Sequence, residues 1–139
     1  MKRYMNLSLI YTVLGLLGGV FYREFTKFNG FTGKTVLGVV HTHYLVLGML
    51  FFLFLLLLDK NFSFRGEKTE KLILFYNVGL NLTALVFFVK GIIETLGTVC
   101  PPMILGVISG IAGIAHILLG VTLVLIILDV RKSVINKKP

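Results

Sequence analysis

Four stretches of this chain, 6–22, 36–58, 72–89 and 103–128, carry almost no charge. Each is about 17 to 26 residues, the length that a helix needs to cross a bilayer core. This pattern limits the fold more than any other feature. In hydrocarbon a lone strand leaves its backbone unpaired, so each stretch is expected to be a helix. The third could run on to residue 96, because Lys90 and Glu94 are four apart and can pair on one helical face. Composition agrees: 56% of the chain is apolar and 14% charged, more apolar surface than a soluble domain of 139 residues can bury. The expected fold is all-α: an integral membrane four-helix bundle forming one membrane domain.

The N-terminus, Met-Lys-Arg-Tyr before an apolar run, resembles the start of a signal peptide. No small-x-small cleavage site follows, so it reads as a retained first span. Of the 14 Lys and Arg residues, ten fall at the N-terminus, in the second loop and in the tail (Arg131, Lys132, Lys137, Lys138). Four, namely Arg23, Lys27, Lys34 and Lys90, fall in the other two loops. The positive-inside rule then places both termini in the cytoplasm. The net charge of +8 belongs to loops and helix ends, where it meets lipid head groups, and nucleic acid is not an expected partner. The single cysteine, Cys100, allows no internal disulfide.

The first loop, "REFTKFNGFTGKT", places Phe25, Phe28 and Phe31 at intervals of three around an Asn29-Gly30 turn signal. It is expected to lie in the membrane interface with its aromatics dipped into the head groups. Its "GKT" is not a phosphate loop: that motif needs glycine where Phe28 stands, and a preceding strand. No paired carboxylates, nucleophile–base set or nucleotide motif appears, so hydrolytic activity is not expected. Cys100-Pro101-Pro102 reads as a helix start.

The chemistry lies in the histidines. All three, His41, His43 and His116, fall inside expected spans. Ionisable residues there mark ligands, pathways or buried pairs; the alternative is neutral imidazole acting as glue between helices. His43 lies roughly 6 Å and His41 roughly 9 Å outside the midpoint of the second span, at about 1.5 Å per residue. His116 falls near the middle of the fourth. Residues two apart on a helix differ by about 200°, so His41 and His43 point to opposite faces and do not form one compact chelate. Haem suits such an arrangement, because its iron takes one imidazole from each of two facing helices. Arg23, Lys34 and Lys90 at the outer helix ends are candidate partners for its propionates. Simple snorkelling is their other reading.

Depth pairs His43 with His116, whereas the glycines pair His41 with it. Gly38, His41, Leu45 and Gly48 share a face, as do Ser109, Ala112, Gly113, His116 and Gly120. Gly15-xxx-Gly19 and Gly106-xxx-Gly110 are expected at close helix crossings. Asn77 and Asn81 share a face of the third span. They are read either as groups that orient a histidine or as interhelical glue.

"HTHYLVLGM", starting at His41, resembles a helix of haem–copper oxidase subunit I that reads His-x-His-Tyr before apolar residues and a Gly/Met pair. In that family the first histidine serves a high-spin haem and the second a low-spin haem. The resemblance implies these roles for His41 and His43. It covers about ten residues. The oxidase fold has twelve helices, and its copper histidines and tyrosine helix have no counterpart here, so a complete oxygen reductase is not implied. Over its whole length, most directly from "GGVFYREFTKFNGFTGKT" through "HTHYLVLGM", the sequence resembles a family of small four-span bacterial membrane proteins classed as a domain of unknown function.

The expectation is therefore a multi-pass protein of the bacterial cell membrane that binds one or two haem b groups, with His43 and His116 as axial ligands. It would transfer electrons or bind or sense a small gas. His41 would face a second haem or a subunit interface, which suggests a homo-oligomer. The other expected partners are the lipid bilayer and a quinone or other redox partner. Two alternatives stand beside it: copper or zinc handling by intramembrane histidines, and an accessory subunit with no cofactor.

Overall fold

The computed structural model describes residues 2–136; Lys137 and Lys138 of the charge count lie outside them. Four helices account for nearly all of these residues, and each is long and apolar enough to cross a membrane. Helix α1 is Lys2–Phe28, α2 is Leu37–Phe62, α3 is Glu67–Leu96 and α4 is Pro102–Asn136.

Glycine ends two of them. After α1, Gly30 takes φ +59°, while Gly30 N–H and Phe31 N–H donate to the carbonyls of Lys27 and Thr26. After α3, Gly97 at φ +62° does the same, with bonds to Glu94 and Ile93. Both are Schellman stops, in which a left-handed residue turns the chain back on its own last carbonyls. The Asn29-Gly30 signal therefore acts one turn later than a separate interfacial segment requires. Phe25 and Phe28 belong to α1, and Phe25 stacks on Phe21 at 5.0 Å. At the other loop, Pro102 opens α4, where its missing N–H costs no helical bond.

The helices alternate in direction. Arg3 at the start of α1 pairs with Glu70 at the start of α3, and Lys68 reaches Asp129 near the end of α4 at 3.6 Å. Arg65, just after α2, joins Asp59 and Glu70. These contacts define one basic end of the bundle. At the opposite end Thr35 Oγ1 donates to the Gly91 carbonyl (3.0 Å), and Glu94 accepts the Val36 N–H (2.8 Å), fixing the entry of α2.

The arrangement is not a symmetric bundle. α2 packs against both α1 and α3, and α4 lies along α3. The core is aromatic and sits among α1, α2 and α3: Tyr4, Tyr11, Phe52 and Tyr76 are buried together, with Tyr11 stacked on Phe52 at 5.7 Å. Close approach at these crossings relies on glycine. A Cβ at Gly48 would stand 2.6 Å from Tyr11 Cβ, one at Gly91 2.5 Å from the Leu37 nitrogen, and one at Gly79 2.9 Å from the Leu119 nitrogen. Gly106 and Gly110 do not behave this way. An added Cβ at either meets nothing within 4 Å, so this pair makes no helix crossing among the described residues.

The middle of α2 departs from α geometry. Tyr44–Leu50 is π-helical, between α-helical Leu37–His43 and Phe51–Phe62. A π turn widens the helix and shifts its carbonyls out of the usual register. Neighbouring helices take two of these carbonyls: Tyr76 OH donates to Leu47 O (2.7 Å), and Ser8 Oγ to Met49 O (3.1 Å).

Candidate functional site

The π segment begins at the residue after His43. The α-helical turn before it sets the two histidines of α2 against different neighbours, in keeping with the roughly 200° between them.

His41 faces α1. Cβ positions built at Gly18 and Gly19 lie 3.7 Å from its side chain, and the Tyr22 ring lies nearly parallel to it with centroids 6.4 Å apart. A Cβ built at Gly19 would stand in van der Waals contact with the imidazole, so the glycines of α1 let that helix pack closely over the His41 ring. The inference of a second copy covering His41 loses its basis, since α1 already covers that ring. His41 Nδ1 is buried without a hydrogen-bond partner among the described residues.

His43 faces the other way. Its ring lies 6.2 Å from that of His116 on α4, with the planes crossed at 82°. Phe87 of α3 completes a triangle, 5.1 Å from His43 and 5.3 Å from His116. The structure thus brings His43, not His41, to His116. The small residues that pointed to His41 serve its packing on α1.

The hydrogen bonds of this pair fix its chemistry. His43 Nδ1 lies 3.0 Å from the Val39 carbonyl, and His116 Nδ1 lies 2.8 Å from the Ala112 carbonyl. A carbonyl oxygen only accepts, so each Nδ1 must carry the proton and donate. In the neutral ring that leaves the lone pair on Nε2. Neither Nε2 hydrogen-bonds to another described residue. Two metal-competent nitrogens thus come from two helices, each held in one tautomer by the turn that precedes it.

The separation discriminates between metal geometries. With a metal–nitrogen bond of about 2.0–2.1 Å and roughly 1.1 Å from nitrogen to ring centre, two imidazoles in line across one metal have centres about 6.3 Å apart. At a tetrahedral angle the centres would be about 5 Å apart. The observed 6.2 Å is near the in-line value, but Phe87, 5.1 Å from one ring and 5.3 Å from the other, stands beside the midpoint between them, so a macrocycle centred there requires the Phe87 ring to turn aside. No group of three or more His, Cys, Asp or Glu that could hold a metal occurs among the described residues. A structural zinc site, which takes four ligands, therefore lacks protein donors.

The α4 side of the pair is open to the surface. His116 is exposed on the bundle surface, and added Cβ atoms at its neighbours Gly113 and Gly120 meet nothing within 4 Å. Thr42, His43, Val46 and Leu47 line a cleft of about 300 Å³ on the α2 side of the site, without His116, at the small end of the roughly 300–1,000 Å³ range of ligand pockets.

The remaining candidates are placed differently. Lys90 pairs with Glu94 at 4.0 Å. It stands one turn beyond Phe87 on α3, about 4.5 Å along the axis. Arg23 is largely exposed and pairs with Glu24 (3.7 Å), and Lys34 is exposed in the turn before α2. None of the three pairs with a histidine. Asn77 and Asn81 do not orient a histidine either. Tyr11 OH donates to Asn77 Oδ1 and accepts from Asn81 Nδ2 (2.9 Å), while Tyr44 OH donates to Asn81 Oδ1 (3.3 Å). The pair is interhelical glue joining α1, α2 and α3. Phe87 and the π segment had no distinguishing signal in the sequence: one is an apolar residue in an apolar span, and the other reads as ordinary helix.

A family model described as a protein of unknown function, DUF2871, matches residues 1–133. No curated protein and no solved structure matches the chain.

Proposed function

The chain belongs to DUF2871, a family of proteins of unknown function, and we propose that it is a small haem b protein of the bacterial cell membrane that carries electrons. The observation behind this reading is the apposition of His43 and His116 at 6.2 Å, each with Nδ1 donating to its own helix and Nε2 free. His43 and His116 would hold the iron from its two sides. Haem bound there would supply a one-electron iron couple, and filling both axial positions favours electron transfer over gas binding.

The protein's own residues set the conditions of that couple. The Val39 and Ala112 carbonyls hold the two rings in the ligating tautomer and raise their basicity. Phe87 would turn aside to admit the macrocycle and then pack against its edge on the α3 side. Val46 and Leu47 give the cleft an apolar wall, where a lower dielectric would tune the potential. Lys90, one turn from Phe87, is the cation best placed for a propionate. The excess of Lys and Arg at the basic end supports termini in the cytoplasm. A quinone or another membrane redox carrier fits as partner, because the exposed edge at His116 opens sideways.

The test is optical. The full chain, expressed with ample haem and purified in detergent, is expected to show a Soret band and, on reduction, sharp α and β bands. His116→Ala is expected to remove the low-spin spectrum or the haem itself. Absence of haem from a folded preparation would sink this reading. Copper or zinc at one per chain in that preparation, lost in the same variant, would move the assignment to metal handling through the same pair.

A further inference from the structure

At the basic end, the starts of α1 and α3 and the turn after α2 enclose a groove of about 670 Å³, more than twice the cleft at His43. Arg3, Arg65, Glu67, Glu70 and Lys71 form its polar walls, and Leu74 is its apolar floor. Leu74 is 54% exposed, so the floor continues onto the lipid-facing surface.

The charges in the groove fall into two sets. Arg3, Arg65 and Glu70 are bound to one another, and Asp59 takes the second side of Arg65. Glu67 and Lys71 are not engaged. They make no ion pair or hydrogen bond with any described residue. Glutamate four residues before lysine is the favoured order for a helical pair, yet these two form no ion pair, and both line the groove. The start of α3 is also open: Gly66 precedes it in extended conformation and provides no side-chain cap. Its first-turn N–H groups take no side-chain cap from Gly66, although Glu67 and Glu70 in that turn already face the positive end of the helix dipole.

A free cation, a free carboxylate and an open helix start above an apolar floor, all at the depth of the head groups, match one ligand class. We propose that this groove binds a phospholipid with a zwitterionic headgroup. Its phosphate meets Lys71 and the start of α3, its primary ammonium meets Glu67, and an acyl chain lies along Leu74. An anionic glycerol headgroup would satisfy Lys71 but offer Glu67 only neutral hydroxyls in place of an ammonium. A soluble phosphoethanolamine compound carries the same two charges but has no use for the floor. None of this depends on the histidine site.

The full-length protein is placed in nanodiscs containing equal amounts of phosphatidylethanolamine and phosphatidylglycerol, and retained lipid is read by native mass spectrometry. The ethanolamine lipid is expected to be retained about tenfold over the glycerol lipid. Glu67→Gln is expected to bring that ratio near one, and Lys71→Ala to lower retention of both lipids about tenfold. Both side chains are exposed and unpaired, so both variants should unfold within about 2 °C of the wild type. Soluble glycerophosphoethanolamine at millimolar concentration should leave the lipid in place; if it displaces the lipid, a soluble ligand takes its place in the assignment. Equal retention of the two lipids by the wild type, or a ratio unchanged in Glu67→Gln, overturns the proposal.

Discussion

The two sides of α2 pose the same chemical problem and solve it differently. On the α1 side, His41 lies against backbone, with Gly18 and Gly19 at contact distance and its Nδ1 sealed off. On the α4 side, His43 meets a second imidazole and a phenyl ring, and it also lines an open cleft with Thr42, Val46 and Leu47. Glycine takes part on both sides, but to opposite ends. On α1 and in the middle of α2 it lets helices touch, whereas on α4 it leaves space unfilled. A histidine in a membrane helix therefore cannot be read from its type or its glycine neighbours. What matters is whether the small residues beside it are covered.

The largest expected effect tests the comparison directly. His43→Ala should lower haem per chain more than tenfold, with loss of the low-spin spectrum, because one axial nitrogen is gone. His41→Ala should keep the spectrum, since its ring faces α1. Equal loss in both variants, measured as pyridine haemochrome per folded chain, would mean that the two faces are not chemically distinct.

Next in size is the packed side itself. Gly91→Ala forces a Cβ to within 2.5 Å of the Leu37 nitrogen, and Gly48→Ala forces one to within 2.6 Å of Tyr11 Cβ. Backbone and a buried ring give way poorly, so each should cost about 1–3 kcal/mol. The readout is the thermal midpoint by circular dichroism in detergent. A midpoint unchanged at both positions would show the helices to be looser than these distances imply.

The scale of these effects follows what the sequence already disclosed. The four helices were legible because hydropathy over some twenty residues is a strong one-dimensional signal. Asn29-Gly30 was legible as a turn, although α1 runs on through Phe28 before it acts, and Pro101-Pro102 as the start of α4; the stop of α3 at Gly97 was not read. The opposition of His41 and His43 followed from helix geometry alone. The choice between them did not, because depth and glycine content gave different answers, and only the third dimension shows Gly18 and Gly19 covered and Gly113 open. The Asn77–Asn81 pair was visible as a polar face, but its partner Tyr11 comes from a helix 66 residues away in the chain. The π segment left no trace in the sequence, since Tyr76 and Ser8, which take its carbonyls, belong to other helices.

Those two clamps give a smaller, sharper test. Tyr76→Phe keeps the buried ring and removes only the bond to the Leu47 carbonyl. An interhelical hydrogen bond in a membrane averages about 0.6 kcal/mol and reaches about 1.7, so the midpoint should fall less than in Gly91→Ala. The π segment starts one residue after His43, so the same change should also alter the ligand geometry and shift the reduced α band. A stability loss with an unchanged spectrum would separate the π segment from the site.

Gly113→Ala should have the smallest effect of all. Its Cβ meets nothing within 4 Å, and alanine is the better helix former by about 1 kcal/mol at most. If lipid covers this face, the extra methyl replaces a lipid contact, and stability should stay within about 0.5 kcal/mol of the wild type. If a second chain or a tightly seated macrocycle covers it, the methyl has to be accommodated, and the cost should approach that of Gly91→Ala. Measuring the variant with and without bound haem separates these cases. A penalty that appears only in the haem-loaded protein places the macrocycle against the α4 glycines, whereas a penalty in both forms means that another chain packs there.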